Sequence, residues 1–274
     1  MRNFIILGFL ITALLMSGGC ERIFEEKPAA GEIPIVFTDL QPSPSGDCRY
    51  KVKVANDLWT LDFFSFFLTE PRIKIEGKWL PLKFIPSSWQ TEDVARLEFH
   101  HACALQSNNT RVQLDANADL LARATVLRFT LGLPDNINRQ AEWPAPFQTD
   151  DMFISDLFGH NFMRLALSNI ADAETHHWEF GLASSLCEYT EGEEQKVVCK
   201  RPNRLTVDLP MAQNVIDLKL LGSLSQLLFR ANLKEQPDCV LAHNSAQNCT
   251  KVLNNLLSRD WIRWDAPDKV YLSN

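Results

Sequence analysis

No stretch of this 274-residue chain is long enough to cross a bilayer as a helix: the longest apolar run, Phe4 to Met16, has 13 residues where about 20 are needed. Positive charge is in deficit, with 27 Lys plus Arg against 34 Asp plus Glu and a formal net charge of -7. Nothing electrostatic therefore draws the chain to a polyanion, and nucleic acid is not an expected partner. Catalytic and cofactor signatures are missing as well: there is no GxSxG, HExxH, P-loop, GxGxxG or CxxCH. A Ser or Cys nucleophile has no visible support, and no enzymatic activity is expected. Internal repeats and low-complexity tracts are also lacking. What remains is a composition 46% hydrophobic, 10% aromatic and 22% charged, enough to bury a sizeable core.

The short apolar run is preceded by Arg2 and reads as the h-region of a signal peptide. It ends in Met16-Ser17-Gly18-Gly19-Cys20, which resembles the lipobox at which bacterial lipoproteins are cleaved and their cysteine acylated. The plainer alternative is an ordinary small-residue cleavage site that happens to meet a cysteine. On the first reading, residues 1–19 are a signal peptide, residues 20–32 are the lipidated Cys20 and a tether rich in Glu, Lys and Pro, and residues 33–274 are one domain. Glu21, rather than Asp, after the cysteine resembles sorting signals for the outer membrane. The expected location is the cell envelope, lipid-anchored through Cys20, facing the periplasm or the surface. Six cysteines remain in that oxidising compartment and fall into Cys48 and Cys103, Cys187 and Cys199, and Cys239 and Cys249. The last two pairs close short loops that a disulfide could staple, but sequence leaves the connectivity open. Zinc is the rival use of these thiols; the absence of CxxC counts against it.

Hydrophobic periodicity in the mature chain is closer to two than to 3.6. Tyr50, Val52 and Val54 alternate with Arg49, Lys51 and Lys53, and Ile73 and Ile75 alternate with Arg72, Lys74 and Glu76. Further strands are predicted at Leu80 to Ile85, Val94 to Phe99, Thr125 to Leu131, Phe162 to Leu167, Trp178 to Leu182, Leu205 to Leu209 and Val270 to Leu272. Many short strands between Pro- and Asn-rich breaks argue for an all-β fold, an antiparallel β-sandwich with long loops. The long breaks are Pro134 to Asp151, containing Trp143, and the acidic segment Glu188 to Gln195 between two cysteines. Helical spacing appears only late, at Ser223, Leu224, Leu227 and Leu228 and at Val252, Leu253, Leu256 and Leu257, which predicts one or two short C-terminal helices.

Four of the six histidines form the adjacent pairs His100-His101 and His176-His177, and His160 stands between Gly159 and Asn161 at the head of a strand. Imidazole suits copper and zinc, but neighbours on a strand face opposite sides, so any site needs ligands from elsewhere. Among seven tryptophans, Trp178 follows a His pair, Trp143 lies in the long loop and Trp89 in a Ser-rich turn; core packing is the ordinary role of such residues. An aromatic platform for sugars is a further option that no polar spacing favours. Asp115-x-Asn117-x-Asp119 resembles half a calcium loop, but Leu120 and Val126 stand where the turn Gly and the bidentate Glu belong.

Val126-Leu127-Arg128-Phe129-Thr130-Leu131-Gly132-Leu133-Pro134, then Pro144-Ala145-Pro146, Met152-Phe153 and Gly159-His160-Asn161-Phe162-Met163-Arg164-Leu165, resembles the MbnP-like family, the four-Cys proteins of the metallo-mystery pair. The resemblance continues through Phe180-Gly181-Leu182-Ala183-Ser184-Ser185-Leu186-Cys187, Cys199-Lys200-Arg201-Pro202-Asn203-Arg204 and the Cys239 to Cys249 loop, with Asp62 to Leu68 and Trp89-Gln90 upstream. It covers nearly the whole mature chain. It implies a periplasm-facing β-sandwich whose partner, a di-haem cytochrome c peroxidase-like protein, oxidises a tryptophan to kynurenine; histidines and that kynurenine then bind copper. Ring opening makes this reasonable, because it gives an indole an aromatic amine and a ketone. The family's four cysteines correspond to Cys48, Cys103, Cys187 and Cys199. The chain departs from the pattern at Arg139 and Gly181, where members carry His, and at Ile154 and Asp156, where they carry Trp. A copper site would then have moved to His160 with His176 or His177, joined by an oxidised Trp178, Trp143 or Trp89. The alternative is a metal-free interaction protein that docks its cytochrome through the loop around Trp143. A third is a module for sugars or hydrophobic molecules.

Overall fold

A computed structural model describes residues 29–103, 108–140, 144, 146, 151–171, 174–191, 196–211, 218–235, 238–242 and 249–265. In chain order the elements are β1 (Glu32–Phe37), β2 (Gln41–Pro42), β3 (Tyr50–Val54), β4 (Asp57–Ile75), β5 (Lys78–Pro81), β6 (Val94–Glu98), β7 (Arg111–Gln113), α1 (Ala118–Ala122), β8 (Val126–Leu131) and α2 (Asp135–Asn138). There follow β9 (Phe153–Ser155), β10 (Gly159–His160), β11 (Met163–Ala171), β12 (Glu174–Leu182), β13 (Ser185–Tyr189), β14 (Val197–Arg201), β15 (Leu205–Pro210), β16 (Leu220–Gly222), α3 (Leu224–Leu227), β17 (Cys239–Val240), α4 (Thr250–Ser258) and β18 (Ile262–Trp264).

The architecture is all-β, as the alternation predicts. Strand β4 is its axis: 19 residues long, it pairs with β3, β5, β6, β8 and β11 within a ten-stranded sheet. Its middle, Phe63-Phe64-Ser65-Phe66-Phe67-Leu68, is buried on both sides, because one face meets the core and the other lies under a covering layer. A four-stranded sheet, in order β18-β16-β1-β7, packs across that core. Phe37 of β1 makes the seam, with its ring 5.0 Å from Phe64 and 4.9 Å from Phe99, both edge-on. Two pairings, β1 with β16 and β12 with β17, are parallel.

Disulfides join Cys48 to Cys103, Cys187 to Cys199 and Cys239 to Cys249. The two late helices, α3 and α4, stand where helical spacing placed them, while α1 and α2, of five and four residues, are too short to show a period. The segment predicted as a strand at Leu80 to Ile85 is corrected: pairing stops at Pro81, and Phe84 makes only an isolated bridge to Leu114. The acidic segment from Glu188 is likewise not all loop, since Glu188 and Tyr189 pair with Val198 and Val197. No helix among the described residues is long and apolar enough to cross a membrane. The signal peptide, Cys20 and its tether to residue 28, Trp143 and the strand at Val270 to Leu272 lie outside the described residues.

Candidate functional site

Strand β6, Val94-Ala95-Arg96-Leu97-Glu98, carries two charges yet is buried along its length. Ala95 and Leu97 face the core. Arg96 and Glu98 pair with Phe67 and Ser65 of β4 and so join the opposite face, together with Phe63 and with Arg164 of β11. The guanidinium of Arg96 sits 3.4 Å from the Glu98 carboxylate, with both side chains about one-tenth exposed, and the Trp89 ring caps it at 4.5 Å. Burial raises the Glu98 carboxyl above its ordinary pKa against the opposing pull of Arg96, and burial lowers Arg96. Just beyond β6, the His100 and His101 rings lie 3.9 Å apart. Their backbone N–H groups both donate to Oδ1 of Asn108, whose Nδ2 donates back to the His101 carbonyl at 2.6 Å. His100 stacks on Phe63, and its Nδ1 is 3.3 Å from Glu98, near enough for an ion pair but not aligned as a hydrogen bond. Burial lowers its pKa, and the neighbouring His101 lowers it further. Arg164 spans the same face: it lies 5.2 Å over Phe63 and donates from Nε to Glu179 at 2.8 Å and from Nη1 to the Asp151 carbonyl at 2.8 Å.

His160 lies on this face too, against Phe67. Its strand pairs with β9, and its ring is fully buried between Phe153 at 5.5 Å and Phe67 at 6.1 Å. Asn138, the last residue of α2 and itself fully buried, accepts from the His160 backbone N–H at 2.8 Å and donates to the Phe158 carbonyl at 3.1 Å. Gly159 is required between them: its φ is +73°, and a Cβ there would meet the Asn138 side chain at 2.3 Å. Burial pulls the His160 pKa from 6.5 to about 4, so the imidazole is neutral at pH 7.

The positions where the chain departs from the resembled pattern lie on the segments that flank His160. Arg139 follows Asn138, forms an ion pair with Asp135, and donates from Nη2 to the Leu157 carbonyl at 3.3 Å and to Sγ of Cys199 at 2.8 Å. Gly181 packs against Asn161, with 2.7 Å between a Cβ placed there and Oδ1. Ile154 is the middle residue of β9, and Asp156 is exposed just after it.

The three histidines predicted as ligands are not brought together. Asn161 meets Gly181, and Phe162 bonds Leu182, so His160 belongs to the Leu182 end of β12; His176 lies six residues along that strand, about 20 Å away at roughly 3.3 Å per residue. His176 is half-buried, while His177 is exposed on the other face. Trp178 is sealed in the core at 2% exposure, and its indole N–H has no hydrogen-bond partner among the described residues. Trp89 is half-exposed. No group of three or more His, Cys, Asp or Glu among the described residues could hold a metal ion. Nothing in the sequence pattern marks Arg96, Glu98, Asn138 or Arg164 as site residues; the one signal is two charges inside a segment that otherwise reads as strand.

The family model MbnP matches residues 41–242. Among solved structures, MbnP from Methylosinus trichosporium is similar with a TM-score of 0.62 at 17% sequence identity, covering 82% of this chain and 87% of that chain, which is a likeness of fold. No curated protein matches.

Proposed function

The chain belongs to the MbnP family, and from that premise we propose that it is a binding protein of the bacterial envelope, not an enzyme, held by lipid on Cys20 and probing a protein partner without a copper centre at His160. The partner that the resemblance implies is a di-haem cytochrome c peroxidase-like protein. Arg139 is the observation that carries this reading. A guanidinium stays charged and offers no lone pair, so where the resemblance calls for imidazole this chain has a group that repels a metal cation. Arg139 is not a loose surface residue that could swing aside, because its side chain is 14% exposed and bonded to Asp135, Leu157 and Cys199. With Gly181 and Ile154 at the neighbouring positions, no second histidine stands beside the neutral His160 imidazole among the described residues, and His176 and His177 are too far along β12 to complete its shell.

A second reading, copper on histidines elsewhere, is favoured by one feature: the His100 and His101 rings lie 3.9 Å apart on the face that also holds Trp89, a pair that would need a further ligand from outside the described residues. Trp89 is then the reachable candidate for oxidation to kynurenine, Trp178 being enclosed. One experiment separates the two. The protein is purified from its native host, and intact mass, peptide mapping and metal content are measured on one sample, with haem absorbance recorded for anything that co-purifies. Unmodified tryptophans and copper far below one per chain, with haem retained, support the metal-free docking reading. Near-stoichiometric copper that is lost in His100→Ala/His101→Ala, or a tryptophan found as kynurenine, would replace it with the second.

A further inference from the structure

At the opposite end of β3 from the disulfide-linked Cys48, a groove of about 640 Å³ runs between β3 and the α3 segment. Its chemistry begins in the alternation of β3. Val52 and Val54 turn inward, while Lys51 and Lys53 stay on the outer face, and in the β3–β4 ladder Lys53 lies opposite Leu58 and Lys51 opposite Thr60. Leu58 is 56% exposed, unusual for a leucine within a strand. The facing wall is made by the chain leaving α3, where Phe229, 38% exposed, is followed by Arg230. The groove thus has apolar walls with three cations, Lys51, Lys53 and Arg230, around them.

Those cations are not already neutralised. Lys51 donates to the Thr60 hydroxyl at 2.6 Å, Arg230 lies 5.1 Å over the Phe229 ring, and none of the three is in an ion pair among the described residues. The groove's one carboxylate, Asp39, is engaged elsewhere: it accepts from the backbone N–H groups of Leu224 at 3.1 Å and Ser225 at 2.7 Å, and from the Ser223 hydroxyl at 3.0 Å. In a chain of net charge -7, this is a local excess of positive charge beside exposed hydrocarbon. Each feature alone is ordinary surface; together they select a ligand that is anionic at one end and apolar at the other. The volume lies within the roughly 300–1,000 Å³ of sites that hold one small molecule.

The geometry points to a binding site for a small anionic amphiphile, a single-chain carboxylate of the fatty-acid type, with its head among Lys51, Lys53 and Arg230 and its chain along Leu58 and Phe229. This site is separate from the His160 region and stands whether or not copper binds the protein.

The test uses the full chain in zwitterionic phosphatidylcholine nanodiscs, titrated calorimetrically with octanoate, with empty nanodiscs subtracted and octanol and acetate as comparison probes. Saturable binding of one octanoate per chain is expected, weakened by added salt because the head contact is charged and exposed. Octanol and acetate should each bind at least tenfold more weakly, since each lacks one half of the chemistry. Lys53→Glu/Arg230→Glu should weaken octanoate at least tenfold, and Leu58→Asp should do the same from the apolar side. Both cationic side chains are exposed, so the charge-reversed protein keeps its fold, and the neutral Lys53→Gln/Arg230→Gln pair gives an intermediate loss. Octanol binding as tightly as octanoate, octanoate binding untouched by charge reversal, or no saturable binding at all would each overturn the site.

Discussion

His160, Asn138 and Gly159 make one device from three residues that have little in common by type. The glycine admits the asparagine, the asparagine ties the histidine backbone to α2, and the imidazole ends up sealed between two phenylalanines. Such burial has a pH signature. The unfolded chain takes up a proton on this imidazole near pH 6.5, whereas the folded chain does so only near 4. Between those values the unfolded state therefore binds more protons, and stability falls as pH drops from about 6.5 towards 4. The loss is on the order of 3 kcal/mol at its full extent. His100, also lowered by burial, adds a loss of the same sign, and Glu98, raised by burial, opposes both at the acidic end. His160→Gln isolates the first contribution. Urea unfolding at pH 7 and at pH 4.5 should show a smaller pH dependence in the variant than in the natural protein; equal pH dependence in the two would place the titration elsewhere. The sequence singled out His160 from its Gly-His-Asn setting at the head of a strand. It could not show Asn138, which lies 22 residues earlier and acts through the fold. Nor did Arg96 and Glu98 stand out, because charges alternating with Ala95, Leu97 and Phe99 read as the wet face of a strand, and only the fold shows that this face is covered.

Among the elements, the β13–β14 hairpin depends most on a covalent link. It pairs only with itself among the described residues, exposes Leu186, Tyr189 and Val198, and is closed by Cys187–Cys199 over a separation of 12 residues. Two strands with so little buried surface are marginal alone, so the staple and the contact of Arg139 with its sulfur hold the hairpin in place. Cys48–Cys103 closes a separation of 55 residues and pins the turn that carries His100 and His101. In the chain-entropy account, the longer loop is worth about 4 kcal/mol and the shorter about 3. Cys48→Ser/Cys103→Ser should therefore lower stability by about 1 kcal/mol more than Cys187→Ser/Cys199→Ser, as read from guanidinium unfolding of each double variant. A reversed order would mean that the hairpin's surroundings, not loop entropy, set its worth. Elements were legible where one face is wet: β3, β8 and β15 follow directly from alternation. The middle of β4 was not, since an apolar run on both faces has no period, and α2 is a single turn.

For the whole molecule, the question is which parts make one cooperative unit. Many short strands separated by breaks sufficed to read a sandwich, but not how the strands divide into sheets of ten and four, because that division rests on pairings remote in sequence. β1 is the plainest case. It lies between β16 and β7, joined to one in parallel and to the other antiparallel, and buries Ile33 and Ile35 completely and Phe37 to 5%. The family match begins at Gln41 and ends at Ala242, so it omits β1, α4 and β18, and with α4 the cysteine that holds Cys239. A fragment cut to those limits would leave Phe64 and Phe99 without the ring of Phe37 between the sheets and would open both strands that β1 joins. Burying each large apolar side chain contributes about 1.5–3 kcal/mol, so the three from β1 alone amount to several kcal/mol. That sum is comparable with the roughly 5–15 kcal/mol by which a domain is stable at all. Residues 41–242 expressed alone should accordingly show a broad thermal transition by near-ultraviolet circular dichroism, while residues 29–274 melt sharply. An equally sharp transition in the shorter fragment would mean that the ten-stranded sheet folds without its cover, and that the four-stranded sheet is an addition to the domain and not half of its core.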